Sequence, residues 1–108
     1  MTPPQDRRFE PRSPANIRAV VVAPGFELPC LLVDQSAQGG RIRLERNLVL
    51  PRVVMVIDIA QGVAIEAQVA WQKGQEAGLK RTGQASLRGL IPSRLSHART
   101  AWMRAGGR

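Results

Sequence analysis

Val53-Val54-Met55-Val56-Ile57-Asp58-Ile59, then Gln61-Gly62, then Val63-Ala64-Ile65-Glu66-Ala67-Gln68-Val69-Ala70-Trp71 is the stretch that decides the fold. The first run is rich in β-branched residues and reads as a strand. The last alternates with period two, with Val63, Ile65, Ala67, Val69 and Trp71 on one face and Ala64, Glu66 and Gln68 on the other. Gln61-Gly62 closes a tight hairpin between them. A lone hairpin is not stable in water, so further strands must cover its apolar face.

The flanks supply them. Ile17 to Ala23 reads as a strand ended by Pro24-Gly25, and Leu28 to Val33 as its partner. Asp34 to Gly40 reads as a polar, Gly-bearing turn. Arg41 to Glu45 alternates, with Ile42 and Leu44 inward. Asn47 to Pro51 is a connector. Lys73-Gly74 and Gln75 to Gly78 read as another turn, before a short strand from Leu79 to Arg81. Short strands at this spacing predict an antiparallel barrel or sandwich over residues 15–90. Past Pro92 the pattern changes, and residues 91–108 read as a basic helix. Ser93 is placed to cap it, Leu95, Ala98, Trp102 and Ala105 form its apolar stripe, and Gly106-Gly107 ends it. Arg94, Arg99 and Arg104 fall to its other faces. Residues 1–14 hold four prolines among many charges and are expected to be a flexible arm.

The 108 residues suit one domain. The chain has two Trp, two Phe and no Tyr, too few rings for a single-strand stacking platform. Cys30 has no cysteine partner and sits in Cys30-Leu31-Leu32-Val33, so it reads as a buried hydrophobe. The polar start Met1-Thr2-Pro3-Pro4-Gln5-Asp6 lacks a signal-peptide core. No apolar run approaches the ~20 residues of a membrane span. A cytoplasmic location is expected. The net charge of +8 is uneven: up to Glu76 there are nine cations and eight acids, and beyond it seven cations and no acid.

Two motifs carry the chemistry. Arg7-Arg8-Phe9-Glu10-Pro11-Arg12 is an RRxxxR pattern, and Asp34-Gln35-Ser36-Ala37-Gln38-Gly39 is a DxSxxG pattern. Guanidinium forks bind phosphates and the O6/N7 edge of guanine. A carboxylate accepts from base N–H donors, and a hydroxyl both accepts and donates. Each motif alone has a plain alternative: a solvated basic arm for Arg7, Arg8 and Arg12, and ordinary turn hydrogen bonding for Asp34 and Ser36. His97 reads as a surface residue, and Trp71 and Trp102 as core or helix-docking residues.

In this order, spacing and strand context, the two motifs resemble the signature of the PilZ domain family, bacterial receptor modules for cyclic di-GMP. The resemblance runs over residues 7–81 and takes in Ala70-Trp71 and Gly78. Family members often carry an aromatic after that glycine-led strand, whereas Leu79-Lys80-Arg81-Thr82 has none. The resemblance implies a mainly β fold: a six-stranded antiparallel barrel with a C-terminal α-helix and a mobile N-terminal arm. It implies cyclic di-GMP as ligand, with no cofactor or metal. Arg8 and Arg12 would clamp phosphate or guanine, Arg7 would favour a stacked ligand pair, and Asp34 would accept from guanine N1–H and N2–H. Ser36 would add a hydrogen bond. Gly39 would supply a positive φ or a close approach of backbone to ligand, with Gly40 as a second such position. Ligand would order the arm and alter the surface offered to a downstream protein, the receptor itself being a monomer.

Enzyme readings lack parts. Ser36 has no nucleophile-elbow context, no Cys/His cluster suits zinc, and no Walker A sequence occurs. The rival from another class is a small basic β-barrel that binds RNA or DNA through its C-terminal third. It accounts for the basic tail and leaves the paired motifs unexplained.

Overall fold

The computed structural model describes residues 13–36 and 38–107. Six strands form in chain order: β1 (Ser13–Ala23), β2 (Phe26–Gln35), β3 (Gly39–Leu44), β4 (Val53–Asp58), β5 (Val63–Lys73) and β6 (Glu76–Ser86). A single 3-10 turn, Ser93–Leu95, leads into α1 (Ser96–Arg104). The strands close into an antiparallel barrel in the order β1-β2-β3-β6-β5-β4, with β4 returning to β1. The mainly β fold read from the sequence is therefore the fold observed. The expected arm lies outside the described residues, apart from its last two, which begin β1.

Alternation builds the barrel interior. Ala19, Val21, Leu28, Cys30, Leu32, Ile42, Leu44, Val54, Val56, Ile65, Ala67, Ala77 and Leu79 all point inward and are buried. Burial pushes the Cys30 thiol up to about 12, because a thiolate there would lose its water. Asp58, at the end of β4, is buried as well. Its Oδ1 accepts from the Gln61 N–H at 3.0 Å and its carbonyl from the Gly62 N–H at 2.9 Å, which fixes the β4–β5 turn.

The opposite face of β1, β4 and β5 is also apolar, and α1 covers it. Val20, Val22, Ile57 and Ala64 pack with Leu87, Leu95, Ala98, Ala101 and Trp102 in a second core. Ala64 thus faces away from the barrel interior, as the alternation predicts, yet is buried under the helix rather than solvated. Trp102 anchors the joint. Its Nε1–H donates to the Ile59 carbonyl at 2.8 Å, and the Arg88 guanidinium lies 5.2 Å from the ring centroid. The helix ends as expected, with the Gly107 N–H on the Trp102 carbonyl at 2.8 Å and the Gly106 N–H on the Met103 carbonyl at 3.1 Å.

Several local expectations are corrected. Ser93 does not cap a helix with its side chain; its carbonyl accepts the Ser96 hydroxyl at 2.8 Å where the 3-10 turn meets α1. Gln75 to Gly78 is not a turn beyond its first residue. The two-residue loop is Gly74-Gln75, and β6 runs on from Glu76 through Ser86 instead of covering only Leu79 to Arg81. The helix arginines are tethers: Arg94 pairs with Glu66 at 2.6 Å, Arg104 with Glu27 at 2.5 Å, and Arg99 donates to the Gly89 carbonyl at 2.8 Å. Among the described residues no helix is long and apolar enough to cross a membrane.

Candidate functional site

On the side of the barrel away from α1, an open cleft of about 640 Å³ runs across β2, β3, β6 and β5. Asp34 and Ser36 stand at one edge and Trp71 at the other, with Gly39, Gly40 and Gly78 between them. The strand register explains this order, because Arg41 pairs with Gly78 and Gly78 with Trp71.

The DxSxxG segment is more strand than turn. Asp34 and Gln35 belong to β2, where Asp34 pairs with both Pro14 and Arg41. Only the span between Ser36 and Gly39 reverses the chain. There the Ser36 N–H donates to the Gly39 carbonyl at 2.8 Å and the Gly39 N–H to the Ser36 carbonyl at 3.3 Å. The Arg81 N–H donates to the Gln38 carbonyl at 2.8 Å, which ties this hairpin to β6.

The two glycines do not supply the positive φ that was one of the two expectations for Gly39. Neither Gly39 nor Gly40 has a positive φ. A Cβ on Gly39 would overlap the Leu79 carbonyl oxygen, and one on Gly40 would lie 2.8 Å from the Asp34 carbonyl oxygen. The close approach that excludes a side chain is therefore between strands of the protein itself. Gly78 is similar, since a Cβ there would run into the indole nitrogen of Trp71.

Trp71 is the main residue that sequence reasoning misplaced. The β5–β6 pairing shifts between Val69 and Trp71, so the indole leaves the inward phase and lies over Gly78 with 47% of the residue exposed. An exposed indole beside a polar hollow offers a flat π-face to a planar ligand. Arg41, Lys80 and Arg81 also line the cleft and were not singled out as site residues. Arg41 Nη2 lies 3.4 Å from Asp34 Oδ2, and its Nη1 is 4.0 Å from Glu76 Oε1. Arg41 thus holds the Asp34 carboxylate at the cleft edge. Their pairing across β2 and β3 is the signal that would have found it, but only once register is known.

Arg7, Arg8 and Arg12 lie outside the described residues. The backbone still locates their point of attachment. Ser13 pairs with Gln35 and Pro14 with Asp34, so the RRxxxR segment joins the barrel beside the cleft edge that carries Asp34.

A family model for the PilZ domain matches residues 6–91, a span that takes in the RRxxxR segment, the whole barrel and every residue lining the cleft. The chain belongs to the PilZ domain family. No curated protein and no solved structure is significantly similar to it. PilZ domains are ligand-binding receptors for cyclic di-GMP rather than enzymes. In this PilZ domain Asp34, Ser36, Gly39 and Gly40 share one cleft, and the aromatic and cationic side chains that complete it come from β5, β6 and the residue after Gly40.

Proposed function

We propose that this PilZ domain is a cyclic di-GMP receptor whose ligand occupies the cleft between the Asp34 edge and Trp71. The observation that carries the reading is the meeting of Asp34 and Ser36 with an exposed indole in one hollow, beside the attachment point of RRxxxR. Asp34 accepts from guanine N1–H and N2–H while Arg41 keeps its carboxylate turned to the cleft. Ser36 adds a hydrogen bond, and the Trp71 ring stacks on a base. Arg8 and Arg12 clamp phosphate or guanine O6/N7 from the arm, and Arg7 grips a second stacked nucleotide. Gly39 and Gly40 contribute by letting β2, β3 and β6 close up around the cleft.

The division of labour follows the chain. The segment before Ser13 acts as the arm that closes on the ligand, residues 13–90 as the cradle, and 91–108 as a helical buttress. Ordering an arm costs roughly 1–2 kcal/mol per residue, so affinity is modest for so many charged contacts. The closed arm presents a changed surface to a separate downstream protein.

Calorimetric titration tests the reading. Cyclic di-GMP is expected to bind saturably and GTP far more weakly. Asp34→Ala should weaken binding by about 1–3 kcal/mol through unpaired guanine donors. It should lower the melting temperature by no more than about 4–8 °C, since a partly exposed ion pair contributes about 1 kcal/mol at most. Absence of heat with cyclic di-GMP at tens of micromolar, a threshold of roughly −6 to −7 kcal/mol, would reject the assignment.

A further inference from the structure

The cleft carries cations of two kinds. Arg41 is matched by carboxylates, with Asp34 at 3.4 Å and Glu76 at 4.0 Å. Arg81 is not: among the described residues its side-chain partner is neutral, Gln84, whose Oε1 accepts from Nη1 at 2.8 Å. Arg81 Nε, like Arg41 Nε, is buried and has no hydrogen-bond partner among the described residues, so the carboxylates are what separate the two side chains. The open pair of donors is therefore Nε–H with Nη2, the side-on edge that fits two oxygens of one phosphate.

Three features set this side chain at the cleft. The β5–β6 pairing slips there, with Ala67 opposite Arg81 but Glu66 opposite Gly83, and such a bulge re-aims side chains. The Arg81 backbone is held against the hairpin tip through the Gln38 carbonyl. Its side chain borders both the cleft and a small apolar void in the barrel, lined by Leu32, Val56 and Ile65. That void is narrow, about 10 Å³, and mostly apolar, with Gln35 as its other polar neighbour. The cleft is the open side from which an anion can reach the guanidinium.

We infer that Arg81 is a specificity-determining residue of this cleft, taking one phosphate of the bound nucleotide on its Nε–H and Nη2 edge. The inference rests on the cyclic di-GMP reading and adds a contact that neither sequence motif contains. Rotation about the terminal torsions brings the buried Nε–H out to the anion. The ligand then meets a donor that has no partner among the described residues, and a cation with no carboxylate beside it there receives a counter-charge.

The test is calorimetry with cyclic di-GMP at low and moderate salt on the wild type, Arg81→Met, Arg81→Gln and Arg81→Lys, with melting temperatures recorded alongside. Arg81→Met should weaken binding about ten- to a hundredfold, the range for a hydrogen bond to a charged group. It should also flatten the salt dependence and leave the melting temperature unchanged or higher. Arg81→Lys should keep the salt dependence without recovering the affinity, because an ammonium lacks the fork. Arg81→Gln should behave as Arg81→Met does. Wild-type binding with Met and Gln variants of equal affinity and salt dependence would overturn the inference and leave the receptor reading intact. No binding by the wild type would overturn both. Unfolding of both variants would assign Arg81 to the fold and overturn the inference alone.

Discussion

At Gly39 a ligand motif and a folding constraint coincide. Its missing side chain lets β3 approach the Leu79 carbonyl on β6, so the residue is needed before any ligand arrives. Gly39→Ala should therefore lower stability by about 1–3 kcal/mol, the usual cost of overpacking. Chemical denaturation without ligand would show it, and an unchanged midpoint would return Gly39 to a purely ligand-facing role. Cys30 makes a different residue-scale prediction. Its buried thiol ionises near 12 in the fold, against 9.0 for the reference thiol. The unfolded chain therefore loses that proton first as pH rises. The stabilising contribution is complete below about pH 9 and disappears toward pH 12. Cys30→Ala should show a shallower loss of stability over that window, measured as denaturation midpoints at several pH values.

Among the elements, β4 and β5 were the most legible, because an alternating pattern with a turn between its halves admits few other readings. β6 was the least. Gly78 and Gly83 punctuate it and suggest turns, yet the space above them is occupied by Trp71 and Glu66 from β5. Trp71 itself was misread for a related reason. A pairing irregularity moves a side chain to the other face without any mark in the sequence. The motif residues Asp34, Ser36 and Gly39 were legible as cleft residues, while Arg41 and Arg81 depend on strand register, which hydrophobic periodicity does not encode. The helix was readable from its stripe, and its energetics follow from the second core. Trp102→Ala removes a buried indole, its bond to Ile59 and the contact with Arg88, and should cost about 3–5 kcal/mol. Glu66→Gln, which breaks an exposed pair with Arg94, should cost about 1 kcal/mol or less. Urea denaturation of the two variants checks the ranking, and comparable losses would mean that ion pairs rather than the indole hold the helix.

Across the whole molecule, the two faces of the barrel have separate work. One side of β1, β4 and β5 is sealed by α1, and the cleft opens on the side of β2, β3 and β6. The basic C-terminal third contributes mainly to the first. Arg88, Arg94, Arg99 and Arg104 bond to barrel or loop groups and so help hold the helix side of the molecule together. The separation makes one measurement decisive for the receptor reading. Backbone amide spectra recorded through a titration with cyclic di-GMP should show saturable shifts at residues 34–41, at Trp71, at residues 78–81 and in the RRxxxR segment. The amides of Ser96–Arg104 should hold still. Shifts centred on the helix, or none anywhere at saturating ligand, would contradict the account.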